Sequence, residues 1–194
     1  MDGAQQMTQS PSDEQLMAGL VNGQTAMFEE LVQRYEQRLF GFICRLTANE
    51  TDAADLFQET FLRVYTKAPD FRGKGAFRSW LYAIAANLCR SHAAKRARLV
   101  VTDPTDLPDR ANGGPLPGSS LVSEAIGRRI AAAVADLPSE QREVFVLKTY
   151  EEMSYPEIAD MLGRPVGTVK SQMRYALEKM RSLLRDLGRA EGVV

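Results

Sequence analysis

Histidine, cysteine and tryptophan are almost missing from this chain: one histidine, two cysteines and one tryptophan stand among 194 residues. A single histidine cannot supply the two Glu-x-x-His pairs of a carboxylate-bridged di-iron bundle. No cysteine or histidine cluster has zinc spacing, and no glycine loop of the Walker type is present to cradle phosphates. Asp52, Asp55 and Glu59 carry charge enough for a hard cation, but they fall on a helical pattern instead of a calcium loop. His92 sits at the end of a basic helix and reads as a polar surface residue. Cys44 and Cys89 lie far apart in helical patterns, too few for a disulfide framework, and read as small buried apolar residues rather than a redox pair. No apolar run is long enough to span a bilayer, and the basic-then-apolar order of a secretory leader is missing, so a cytoplasmic protein without membrane insertion is expected. Catalysis, a cofactor and a bound metal are not expected.

Net charge is also lacking, since 24 Lys and Arg nearly balance 25 Asp and Glu. Spread evenly, that balance would argue against a nucleic-acid partner, but the charges are segregated. Between Phe71 and Val101 the chain carries Arg72, Lys74, Arg78, Arg90, Lys95, Arg96 and Arg98 and no acid. Between Asn49 and Thr60 it carries Glu50, Asp52, Asp55 and Glu59 and no base. A basic stretch beside an acidic one suggests two different partners, of which only the first suits DNA.

What the chain has in quantity is helical periodicity, with an apolar content of 44% to build cores. Ser12 is placed to cap a short helix with Leu16, Leu20 and Val21, ended by Asn22-Gly23. Phe28, Leu31, Val32, Tyr35, Leu39, Phe42, Ile43 and Leu46 then repeat at helical spacing without a break, marking a long core helix. Thr51 is expected to cap a third helix, closed by Pro69, with Leu56, Phe57, Phe61, Val64 and Tyr65 inward. Its other face would carry Asp52, Asp55, Gln58, Glu59 and Leu62, either as a solvated surface or as a protein-docking one. A glycine-bearing basic loop over residues 70–77 leads into a fourth helix with Phe77, Trp80, Leu81, Ile84 and Leu88 inward. Arg78, Asn87, Arg90, Ser91, Lys95 and Arg98 are expected outward, where Lys and Arg can neutralise phosphates and Asn can hydrogen-bond bases or backbone.

Periodicity stops in the Pro- and Gly-rich stretch 102–120, which reads as a flexible linker between two domains. Beyond it, Ile126, Ile130, Val134 and Leu137 mark one helix closed by Pro138, and Ser139 is expected to cap the next, with Val144, Phe145 and Leu147 apolar. Ser154 and Glu157 have capping-box spacing, Pro156 is tolerated in a first turn, and Gly163 falls where a left-handed C-terminal cap is wanted. A second helix is expected from near Gly167, with Val169, Met173, Ala176, Met180, Leu183, Leu184 and Leu187 on one face. This is either a plain helical hairpin or a helix-turn-helix, whose second helix enters the DNA major groove. The expectation is an all-α protein of two small helical domains, residues 12–100 and 121–188, joined by a linker over 101–120. The second domain would end in the helix-turn-helix. A free-standing repressor with the same reading head would need a ligand pocket or a dimerisation helix. The separate acidic and basic faces of the first domain point instead to a protein that holds DNA and a large partner together.

The order and spacing of FEELVQRYEQRLFGFICRLT, DAADLFQETFLRVY, FRGKGAFRSWLYAIAANLCRSHAAKR and LPSEQREVFVLKTYEEMSYPEIADMLGRPVGTVKSQ resemble the bacterial extracytoplasmic-function RNA polymerase sigma factors, over residues ~14–187. The resemblance implies an alternative sigma factor that directs promoter-specific initiation. Asp52, Asp55, Gln58, Glu59 and Leu62 would dock on the clamp helices of the largest subunit of core RNA polymerase. Phe71, Arg72, Gly73, Lys74, Ala76, Arg78, Asn87, Arg90, Ser91 and Lys95 would recognise and melt the −10 element, capturing an unstacked base of a single strand. Thr168, Lys170, Ser171, Gln172, Arg174 and Tyr175 would hold the double-stranded −35 element, and an anti-sigma factor would cover the polymerase-binding surfaces. Two departures stand out: Ser91 replaces a frequent aspartate, and Gln172, Tyr175 and Leu177 stand at positions often basic. Fewer charges imply a shallower salt dependence for the second domain.

Overall fold

The computed structural model describes residues 10–71, 73, 76–102 and 121–190. Among them the chain forms eight α-helices and no strand: α1 (Asp13–Val21), α2 (Thr25–Thr47), α3 (Glu50–Lys67), α4 (Phe77–Thr102), α5 (Leu121–Ala135), α6 (Ser139–Thr149), α7 (Tyr155–Leu162) and α8 (Val166–Ala190), with a 3₁₀ turn over Ala68–Asp70.

The first four helices pack around α2, whose Leu31, Leu39, Phe42 and Ile43 are fully buried. Each such side chain contributes about 1.5–3 kcal/mol by leaving water. Phe61 and Val64 of α3 and Phe77, Leu81 and Tyr82 of α4 close the same core. Helix α1 is fastened by polar groups as well as by Leu16 and Met17. Its capping box joins Ser12 and Gln15, and Asp13 accepts from the Tyr35 hydroxyl and pairs with Arg34 at 2.7 Å. Glu14 accepts from the Phe77 backbone N–H at 3.2 Å, so α1 supplies a carboxylate to the positive start of α4.

Three local expectations need correction. The cap of α3 is Asn49, whose side chain accepts from the Asp52 N–H at 2.9 Å, and Thr51 lies inside the helix. The amide is better placed because the chain turns out of a left-handed Ala48 (φ 52°) and reaches extended backbone at Asn49. Ser139 is likewise the first residue of α6, after a Pro138 that forms no side-chain cap. Third, Tyr65, assigned inward by its spacing, is 47% exposed.

In the C-terminal helices Val134, Leu137, Val144, Val146, Leu147, Ile158, Val169, Met173 and Ala176 are buried, in one continuous cluster with the core of the first four helices. Ser154 and Glu157 form the expected capping box, and Gly163 ends α7 in the left-handed conformation (φ 63°, ψ 36°). Helix α8 starts at Val166, one residue before Gly167. Leu187 and the linker stretch 103–120 lie outside the residues whose side chains are described.

The two helical units also pack against each other: α2 meets α5 and α6, and α4 meets α7. Arg142 donates to the Leu46 carbonyl at 2.8 Å and to Leu137 at 3.1 Å, tying the end of α2 to the α5–α6 turn. The Arg45 guanidinium lies 4.0 Å from the centre of the Tyr150 ring.

Candidate nucleic-acid interface

Helix α3 presents one face to solvent because its Ala53, Leu56, Phe61 and Val64 are drawn into the core. Asp55, Gln58 and Leu62 are exposed there, with Leu62 at 58%, and Glu59 is half-buried beside Arg63 at 2.8 Å. Leu62 beside these exposed acids makes a mixed apolar and acidic patch, which is the candidate protein contact on this face. Asp52 departs from that group. Its carboxylate turns toward α4, 2.5 Å from Arg96 and 3.6 Å from His92, because its place in the first turn of α3 faces the C-terminal half of α4. The structure therefore gives Asp52 a bracing role between two helices. His92 is half-buried at that contact and is not a plain surface residue.

Of the −10 set, Arg72 and Lys74 lie outside the described residues. Gly73 is exposed with φ +63°, a conformation suited to glycine, and Ala76 is exposed just before α4. Phe71 is half-buried, its ring 5.1 Å from Trp80 and 6.1 Å from Phe77. Phe71, Phe77 and Trp80 thus form an aromatic cluster at the start of α4. Asn87, Ser91 and Lys95 are exposed along α4. Arg78 and Arg90 are not free, which corrects the expectation that both point outward. Arg90 pairs with Glu143 of α6 at 2.5 Å and also donates to the Asn87 side chain. Arg78 donates to the Glu151 main-chain carbonyl and lies 3.9 Å from its carboxylate.

Those two acids are contacts of the basic set that sequence reasoning missed. Glu143 immediately precedes the apolar run 144–147, and Glu151 follows Tyr150, the C-cap of α6; both are buried, at 3% and 2% exposure. Glu143 is held between Arg90 and Arg164, the latter at 2.9 Å, while burial pushes its carboxyl above the ordinary range. Glu151 accepts from the buried Tyr82 hydroxyl at 2.5 Å. Burial and that hydrogen bond push the Tyr82 phenol up. Glu143 follows the polar stretch 139–142, so no local signal marks it as buried; its cationic partners come from helix packing.

In the C-terminal unit, Thr168, Lys170, Arg174 and Tyr175 are exposed together on α8, with Arg174 over the Tyr175 ring at 4.7 Å. Ser171 turns its hydroxyl back to the Thr168 carbonyl at 2.8 Å, and Gln172 donates to Glu140 at 3.2 Å. Helix α7, the Gly163 turn and α8 thus present a short row of polar and cationic side chains at the start of a long second helix, the geometry of a helix that reads the major groove.

Fold and surfaces together define a two-unit helical DNA-binding protein of the helix-turn-helix class. The sigma-70 region 2 family matches residues 31–99, and the sigma-70 region 4 family matches residues 127–180. The ECF RNA polymerase sigma factor SigW of Bacillus subtilis is 32% identical over 173 residues, covering 85% of this chain and 92% of SigW. The RNA polymerase sigma-H factor of Pseudomonas aeruginosa is 29% identical over 193 residues, covering 93% and 98%. Among solved structures, the sigma factor RpoE of Bartonella quintana, in complex with the anti-sigma factor NepR, matches with a TM-score of 0.72 at 25% identity, over 81% of this chain and 96% of RpoE. The chain belongs to the ECF RNA polymerase sigma factors.

Proposed function

We propose that this sigma factor docks on the clamp helices of core RNA polymerase through Asp55, Gln58, Glu59 and Leu62. In this reading residues 12–100 recognise and open the −10 element, residues 101–120 link, and residues 121–188 hold the −35 duplex. The observation that carries the reading is the division of labour within one small domain: α3 exposes acids around an apolar Leu62, while neighbouring α4 carries the basic set. Phe71, Gly73 and Ala76 at the mouth of α4, with Asn87, Arg90, Ser91 and Lys95 along it, supply ring faces, an amide and cations, the chemistry that holds an unstacked base and its phosphates. Arg72, Lys74 and Arg78 belong to the same basic set. Thr168, Lys170, Ser171, Gln172, Arg174 and Tyr175 hold the −35 duplex, Lys170 and Arg174 through phosphates.

The protein acts stoichiometrically, without catalysis, cofactor or metal, in the cytoplasm, where its polymerase is. The anti-sigma partner of the Bartonella quintana relative supports a protein inhibitor for this chain too. Adding the purified chain to core polymerase on genomic DNA is expected to start transcripts at a discrete promoter set. Failure to bind core polymerase, or tight operator binding with no need of it, overturns the reading.

A further inference from the structure

Helix α4 begins without a cap of its own. The Ala76 carbonyl accepts from the Trp80 N–H at 3.4 Å, but alanine has no side chain to meet the free N–H groups of the first turn. The missing acceptor comes from 63 residues earlier in the chain, where Glu14 of α1 takes the Phe77 N–H at 3.2 Å. A carboxylate suits that place, because the start of a helix is positive and a charged acceptor bonds more strongly than a neutral one. Asp13, its neighbour, steadies the same residue from the other side. It accepts from the Tyr35 hydroxyl, and the Tyr35 ring lies edge-on to that of Phe77 at 5.5 Å. Phe77 is fully buried, and its ring meets Phe71, at the near end of the glycine-bearing loop, at 6.1 Å. Helix α1 also packs on the 3₁₀ turn Ala68–Asp70, whose Ala68 carbonyl accepts from the Phe71 N–H at 3.1 Å. One short helix thus grips both ends of the loop 71–76.

We propose that Glu14 is a positioning residue for strand opening: by capping α4 from α1 it fixes the mouth of the loop in the geometry that receives the unstacked base. The role rests on the reading of this loop and α4 as the −10 face. Glu14 acts through the Phe77 N–H and needs no contact with DNA. A loop whose two ends are already fixed has less freedom to lose when it closes on a base, so more of the contact energy goes into opening. The sign of the effect is diagnostic. An exposed acid beside a phosphate-binding surface that did nothing but repel the strand would hinder opening, and its removal would help. A positioning acid has the opposite signature. Asp55, Gln58 and Leu62 on α3 and the −35 set on α8 take no part in this link, so the affinities they set stay unchanged.

The test uses core polymerase with the full chain, as wild type, Glu14→Ala, Glu14→Gln or Asn87→Ala/Arg90→Ala, on a mapped promoter carrying a fluorescent base near −10. Stopped-flow fluorescence over a range of holoenzyme concentrations separates the initial binding constant from the opening rate. Glu14→Ala is expected to slow opening about fivefold, the scale of a lost helix cap, with initial binding and core-polymerase affinity unchanged. Glu14→Gln keeps an acceptor oxygen for the Phe77 N–H and should open within about twofold of wild type. Circular dichroism at the assay temperature checks that each variant is folded. An opening rate that is unchanged or raised in Glu14→Ala, a loss as large in Glu14→Gln, or a fall in polymerase affinity that accounts for the slower opening overturns the positioning role, while Asn87→Ala/Arg90→Ala still loses opening. Opening at the wild-type rate in Asn87→Ala/Arg90→Ala overturns the −10 reading itself, and the role of Glu14 with it.

Discussion

Two left-handed helix ends in this protein differ in one residue type, and exchanging them gives opposite effects of computable size. Gly163 ends α7 at φ 63° and Ala48 ends α2 at φ 52°. A Cβ built on Gly163 meets nothing within 4 Å, so Gly163→Ala brings no clash and its whole cost is backbone strain. That strain is roughly 1–2 kcal/mol for an L-residue in the left-handed region. Replacing glycine also restricts the unfolded chain, which offsets about 0.4–1 kcal/mol. Gly163→Ala is therefore expected to destabilise by about 1 kcal/mol, Gly163→Asn by less, and a β-branched Gly163→Val by more. Ala48→Gly should stabilise by a similar amount, with the same two contributions reversed. For a chain of this size, 1 kcal/mol corresponds to roughly 2–4 °C in Tm. Thermal and urea unfolding followed by circular dichroism measures all four variants. If Gly163→Ala is neutral and Gly163→Val no worse, the turn is not left-handed; if Ala48→Gly destabilises as an ordinary helix glycine does, the end of α2 is misassigned.

Other outcomes follow from the polymerase face, the buried thiols and the acid limit. Asp55→Lys/Glu59→Lys is expected to weaken core-polymerase binding at least tenfold, the scale of a desolvated charge contact, with an unchanged Tm. Asp52→Asn should instead lower Tm, because Asp52 holds Arg96 and His92; the reverse pattern would refute the division of roles. Burial pushes the Cys89 thiol up to about 12 and raises Cys44 as well, so neither should react with Ellman's reagent at neutral pH until the chain unfolds. Prompt modification of Cys89 in the folded protein would contradict its burial.

Glu14 is held below the ordinary carboxylate value of 4.5 by backbone N–H groups, its own and that of Phe77. Glu157 is held there by the Ser154 side chain and backbone. A depressed carboxyl adds stability that is complete above the unfolded value and is lost as pH falls through the folded one. Tm should therefore fall between about pH 5 and pH 3, and Glu14→Gln/Glu157→Gln should flatten that fall. An unchanged slope in the double variant would sink the assignment.

What the sequence discloses here is mostly local. Ser12-x-x-Gln15, Ser154-x-x-Glu157 and the left-handed Gly163 are set by chemistry within four residues, and each is legible before any fold is known. The buried row from Leu31 to Ile43 follows from helical period alone. Asn49 outcompeted Thr51 as a cap because the path of the chain out of Ala48 decides which side chain faces the free N–H groups, and residue type does not record that path. The same limit governs the candidate site. A run of seven basic residues with no acid predicts where phosphates would be met, but the partners of Arg78 and Arg90 lie 73 and 53 residues away, across the linker. Asp52 and Arg96, 44 residues apart, repeat the lesson on α3. Periodicity assigns a face; only packing tells which charges on that face are already spoken for.

The central claim is that one small domain both docks on polymerase and opens the promoter. Permanganate probing of unpaired thymines at a mapped promoter tests it most directly, with core polymerase and either wild type, Asn87→Ala/Arg90→Ala or Asp55→Lys/Glu59→Lys. Reactive thymines near −10 are expected only when core polymerase and the wild-type chain are both present, with strong loss in either variant. Opening that survives Asn87→Ala/Arg90→Ala in a complex of normal occupancy, or that occurs with the chain alone, would contradict it.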